Sequence, residues 1–94
     1  MTESKARQLV QDYLDRLSAD EGYYVILRII EKKYGWVIYW NTKKYAESGN
    51  RADGEIGTGP LVIENSSGSI YSLSSGINQV KILCDFEKAH GYTS

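Results

Sequence analysis

The chain has 94 residues, 41% of them apolar and 24% charged, with nine glycines and one proline. A chain this short withdraws only about 60–68% of its unfolded surface from water, enough for one core in a single domain spanning residues 1–94 and too little for the large enzyme folds. Eleven Lys and Arg against twelve Asp and Glu leave a formal charge of −1, so no broad basic field is offered to a phosphate backbone and nucleic acid is not expected as a partner.

The first predicted element is a helix. Ala6, Leu9, Val10, Tyr13, Leu14 and Leu17 recur at helical spacing and gather on one face, while Arg7, Gln8, Gln11, Asp12, Asp15 and Arg16 occupy the other. Thr2 or Ser4 is placed to cap its start, and Gly22 marks the departure of the chain. From Tyr23 the period changes to two. Tyr23, Val25, Leu27 and Ile29 are expected on one face of a strand and Tyr24, Ile26, Arg28 and Ile30 on the other. Glu31-Lys32-Lys33 and Gly35 read as a hairpin connection. The return strand sets Trp36, Ile38 and Trp40 against Val37, Tyr39 and Asn41, a β-branched and aromatic run suited to a pleated surface.

Lys43 to Gly59 is charged, glycine-rich and without an apolar period, which predicts a long loop with room for a helical turn around Lys44–Ser48. Pro60 opens a third strand through Leu61-Val62-Ile63-Glu64, since a first position tolerates a missing donor. Asn65-Ser66-Ser67-Gly68 is a turn, with Gly68 suited to a left-handed backbone, and Ser69–Leu73 returns. After Ser74-Ser75-Gly76 a final helix is expected from Asn78 to about His90, with Ile82, Leu83 and Phe86 inward and Val80 and Cys84 widening that face. The fold class is α+β: a four-stranded antiparallel sheet of two hairpins, with an N-terminal and a C-terminal helix packed on one face.

Reactive constellations are sparse. Cys84 and His90 lie six residues apart on one helix, roughly 240° around it, so they do not meet locally as nucleophile and base. In its apolar stretch Cys84 reads as a small packing residue, and His90 as a neighbour of the last helical carbonyls. One Cys and one His cannot complete a zinc site. The carboxylate pairs Asp12/Asp15 and Asp53/Glu55 lack the form of a calcium loop. Gly57-Thr58-Gly59-Pro60 precedes a strand rather than a helix, unlike a phosphate-binding loop. No catalytic residue, cofactor or metal is therefore expected. The longest apolar run, Tyr23–Ile30, is broken by Arg28 and too short for a bilayer. With no signal peptide legible after Met1 and a single cysteine, a cytoplasmic protein is expected.

The excess that remains is aromatic: eight tyrosines and two tryptophans. Strand alternation sends Tyr39 and the pair Trp36/Trp40 to opposite faces, so one set is expected to stay accessible as an interface anchor. Binding is favoured over catalysis.

Gly35-Trp36-Val37-Ile38-Tyr39-Trp40-Asn41, Tyr45 with Glu47-Ser48-Gly49-Asn50, Gly57-Thr58-Gly59-Pro60-Leu61-Val62-Ile63 and Ser67-Gly68-Ser69-Ile70-Tyr71-Ser72-Leu73 follow one another in an order that resembles the immunity protein 35 (YrhB-like) family. Ile82-Leu83-Cys84-Asp85-Phe86-Glu87 is similar to that family's closing aromatic-acidic segment, so the resemblance runs from about Tyr23 to Glu87. It implies a bacterial immunity protein of a polymorphic toxin system. Such a protein binds and neutralises a cognate toxin by stoichiometric occlusion, as a monomer or weak homodimer without membrane attachment. The expected protein-binding residues are Tyr39, Lys44, Tyr45, Asn50, Arg51, Asp53 and Glu55. A small stress-associated, chaperone-like binding protein is the alternative.

Overall fold

The computed structural model describes residues 1–20, 22–54, 58–73 and 79–92. Glu55, Gly57, the Ser74-Ser75-Gly76 turn and the expected helix start at Asn78 lie outside the described residues.

Helix α1 spans Glu3–Ser18. The Thr2 hydroxyl accepts from the Lys5 amide at 3.2 Å, as an N-cap does, and Ala19 ends the helix in the left-handed region at φ 58°. Ala6, Val10 and Leu14 are wholly buried, and Leu9 and Tyr13 pack beside them. Full burial of side chains such as Val10 and Leu14 is worth about 1.5–3 kcal/mol each. Leu17, expected on the same stripe, is 54% exposed in the last turn. Asp15 organises the exit: one carboxylate oxygen accepts from Gln11 Nε2 at 2.9 Å and from the Gly22 amide at 3.1 Å. Gln11 also donates to the Tyr24 carbonyl at 2.8 Å, tying α1 to the first strand.

Strands β1 (Tyr24–Lys32), β2 (Gly35–Thr42), β3 (Leu61–Glu64) and β4 (Ile70–Ser72) form one antiparallel sheet in the order β1-β2-β3-β4. The two expected hairpins are present. Gly68 takes φ 74° in the β3–β4 turn, where its amide donates to the Glu64 carbonyl at 2.8 Å. The long connection holds more structure than its composition suggests: a short helix α2 (Lys43–Ser48) and a single 3₁₀ turn (Arg51–Asp53). Helix α3 covers Gln79–Ala89.

Two sequence expectations are corrected. Strict alternation fails in β1, because the register shifts between Ile26 and Arg28 and leaves Leu27 without a partner on β2. This β-bulge turns the strand over. Tyr24, Ile26 and Ile29 join the α1 side with Trp36, Ile38, Trp40, Leu61 and Ile63. The helices, expected on one face, lie on opposite faces. Leu83 and Phe86 of α3 pack with Val37, Val62, Tyr34, Tyr39 and Tyr71, whose side chains alternate with those facing α1. The cause is visible in β2 and β3, where Trp36 to Ile38 and Leu61 to Ile63 are apolar at every position and need cover on both sides.

The two tryptophans differ in one atom. Trp40 Nε1 donates to the Gly59 carbonyl at 2.9 Å, whereas the buried Trp36 Nε1 has no hydrogen-bond partner among the described residues. Trp40→Phe therefore strands a buried carbonyl, while Trp36→Phe removes a donor that already lacks an acceptor. Urea titration should find Trp40→Phe the costlier by about 1–3 kcal/mol, and equal losses would contradict the assignment. Gly35→Ala should abolish cooperative folding, since a Cβ there collides with the Ile63 carbonyl oxygen in the adjoining strand. A normal urea midpoint would refute that.

Candidate functional site

The segment after β2 is wired to the sheet end. Thr42 Oγ1 donates to the Asp53 carbonyl at 2.6 Å and accepts from the Tyr45 amide at 3.1 Å, so one hydroxyl caps α2 and anchors the 3₁₀ turn. Asn50 Oδ1 accepts from the Ala52 amide at 3.0 Å, and Gly49, at φ 70°, closes α2 through its amide to the Tyr45 carbonyl. Gly54 sits so close to the Tyr45 ring and the Asn41 amide that an added Cβ would lie 2.8 Å from Tyr45 Cδ2. The Lys43 amide donates to the Tyr23 carbonyl at 2.9 Å, fixing the start of α2 to the start of β1. Polar side chains and backbone, with little apolar burial, hold this segment in shape.

Asp53 is its electrostatic centre. The Ser48 hydroxyl donates to it at 2.6 Å and the Lys44 ammonium stands 3.5 Å away. The Ser48 bond is the largest influence on the Asp53 carboxyl; desolvation opposes it, and Lys44 adds to it, so that the group is held below the usual carboxylate range. A cleft of about 400 Å³ lies alongside, lined by Asp20, Tyr23, Thr42, Lys43, Lys44 and Asp53.

Lys44, Tyr45, Asn50, Arg51 and Asp53 of the expected binding residues thus form one unit at the end of β2. Tyr39 is separate in the chain but lies on the same sheet face as Asn41, which touches that unit. Tyr39 is half-buried, and the tryptophans are both closed off beneath α1. Glu55 lies outside the described residues. Arg28 is not among the expected binding residues. The bulge sets it directly across from Tyr39, exposed, where strict alternation pairs its position differently. A lone arginine inside an apolar strand was the available signal.

Helix α3 is attached to this face by polar and aromatic contacts. Tyr34 donates to Glu87 Oε2 at 2.7 Å, with Lys32 Nζ at 3.9 Å from the same oxygen. The Tyr92 ring stacks on Tyr34 at 4.3 Å between centroids, and its hydroxyl donates to Glu64. His90, expected near the terminal carbonyls, lies among the rings of Phe86, Tyr71 and Tyr92. Cys84, expected to be buried packing, is exposed, as is Val80 at 74%. Both lie off the side that α3 turns to the sheet through Leu83 and Phe86.

Among the described residues no three of His, Cys, Asp and Glu gather to hold a metal ion. No helix there is long and apolar enough to cross a membrane. Compared with known proteins, the chain matches no family model, no curated protein and no solved structure at a significant level.

Burial, and then the bond to Glu87, push the Tyr34 phenol well above its ordinary value of 10.0. The folded protein keeps this proton at a pH where the unfolded chain has released it. The stability tied to Tyr34 is therefore complete below about pH 10 and falls as the pH rises beyond it toward the raised folded value. Urea midpoints should fall above pH 10 for the wild type and less steeply for Tyr34→Phe. At pH 7 that variant should be less stable, because Glu87 loses its donor. Parallel alkaline limbs for the two proteins would refute the role of Tyr34.

Proposed function

We propose that the chain is a bacterial immunity protein of the immunity protein 35 (YrhB-like) kind, acting in the cytoplasm, which binds and neutralises a cognate toxin by occupying its surface one to one. The carrying observation is the second sheet face. A half-buried Tyr39 and an exposed Arg28 stand directly opposite each other there, on the face whose Asn41 adjoins the wired α2 segment. Tyrosine and arginine are the residue types that anchor interfaces, and a pre-shaped segment spares the ordering cost of a loose loop. The order of motifs from Gly35 to Leu73 supports the same reading.

Occlusion needs contact area and no turnover. A stable complex of this type buries about 1,200–2,000 Å² in total, which the second face and α2 segment would share with the partner. One shaped patch also favours a single partner over a range of unfolded clients.

Co-expression with the toxin encoded beside this chain should restore growth, and the two proteins should co-purify at equal stoichiometry. Growth arrest despite soluble expression would overturn the proposal. Arg28→Ala combined with Arg51→Ala, both exposed, should weaken rescue while leaving the unfolding free energy from urea titration within about 1 kcal/mol of wild type.

A further inference from the structure

Every residue from Lys43 to Gly54 is exposed or half-buried, and none of them joins either hydrophobic cluster of the described residues. Regions that give up little apolar burial open at a lower free energy than the core they adjoin. What holds this segment is a set of polar bonds, and they converge on Asp53. Its carbonyl accepts from the Thr42 hydroxyl at 2.6 Å, and its amide donates to the Asn50 carbonyl at 2.9 Å. Its carboxylate accepts from Ser48 at 2.6 Å and pairs with Lys44 at 3.5 Å. One residue therefore ties the 3₁₀ turn to β2 through its main chain and to α2 through its side chain. Lys44 is 79% exposed, and a pair so open to water contributes little. The short bond from Ser48 to a charged acceptor is the stronger hold.

We infer that the Lys43–Gly54 segment is a strap, latched by the Asp53 carboxylate at neutral pH and released as a unit from an intact sheet when that carboxylate takes up a proton; this holds for the chain alone, with or without a partner. A neutral carboxyl gives Lys44 no counter-charge and turns the Ser48 bond into an ordinary neutral one. The other ionisable groups around Asp53 are Asp20, Tyr23 and Lys43 along the cleft and Arg51 in its own turn, while Glu47 is engaged by Lys43 at 3.9 Å. With Ser48 foremost, these surroundings hold the Asp53 carboxyl below its ordinary value of 3.8. The stability tied to it is therefore complete above about pH 5 and is lost as the pH falls through the depressed value. The cleft lined by Lys44 and Asp53 loses that wall when the strap opens.

Amide hydrogen exchange on the full chain tests this, read as protection relative to an unstructured peptide from about pH 7 to about pH 2.5. The Gly49, Asp53 and Gly54 amides donate within the segment. They should lose protection at the acid end while the Val37 and Val62 amides of the sheet keep theirs. Asp53→Asn retains an acceptor for Ser48 but no charge, so its segment amides should be weakly protected at every pH, with no acid step. Glu47→Gln removes an exposed pair with Lys43 and should keep the wild-type profile. Segment protection that persists through the acid range would overturn the inference, as would a loss that comes only in step with Val37 and Val62. An acid step that survives in Asp53→Asn, or that Glu47→Gln abolishes, would overturn it as well.

Discussion

The first half of β2 has no side that tolerates water. From Gly35 to Ile38 every residue is buried, with Trp36 and Ile38 pointing one way and Val37 the other. A pleated strand sends successive side chains to opposite faces, so such a run demands a cover above and a cover below. α1 supplies one with Ala6, Val10 and Leu14, and α3 supplies the other with Leu83 and Phe86. The sandwich of helix, sheet and helix follows from that single central strand.

The two covers are built from different physics. Under α1 the contacts are aliphatic and aromatic groups, several of them wholly removed from solvent. Under α3 they include a tyrosine–glutamate bond, a lysine near the same carboxylate and a stack of rings reaching from Tyr34 to Tyr92. Hydrophobic burial is non-directional, while hydrogen bonds and ring stacks hold one orientation. The first cover therefore supplies most of the driving force for folding, and the second fixes where the helix sits. Tyr39 packs with this second cover and stays half-buried, and Asn41 adjoins the α2 segment.

Much of this was legible in the residues. The helical stripe of α1, both hairpins, the Thr2 cap and the left-handed Gly68 follow from local rules of spacing and backbone preference. The bulge at Leu27 does not, since nothing in Ile26-Leu27-Arg28 distinguishes an unpaired residue from a paired one, and one inserted residue reverses every later assignment of face. The opposite placement of the helices was present in the uninterrupted apolar runs Trp36-Val37-Ile38 and Leu61-Val62-Ile63, but two amphipathic helices invite a simpler two-layer arrangement. For the candidate site, composition marked the α2 region and Tyr39. It could not reveal that Thr42 and Asp53 knit that region into a fixed shape, because those bonds join residues eleven apart through a backbone carbonyl.

Both indoles of the molecule lie on the α1 side of the sheet and none on the side that carries Tyr39. Tryptophan emission from this protein is thus a one-sided reporter. Its colour follows the integrity of the aliphatic interior, and an event on the far surface that leaves the interior undisturbed leaves that colour unchanged. Observing that surface calls for a label introduced there, and the bare thiol of Cys84 on α3 provides a native handle for one.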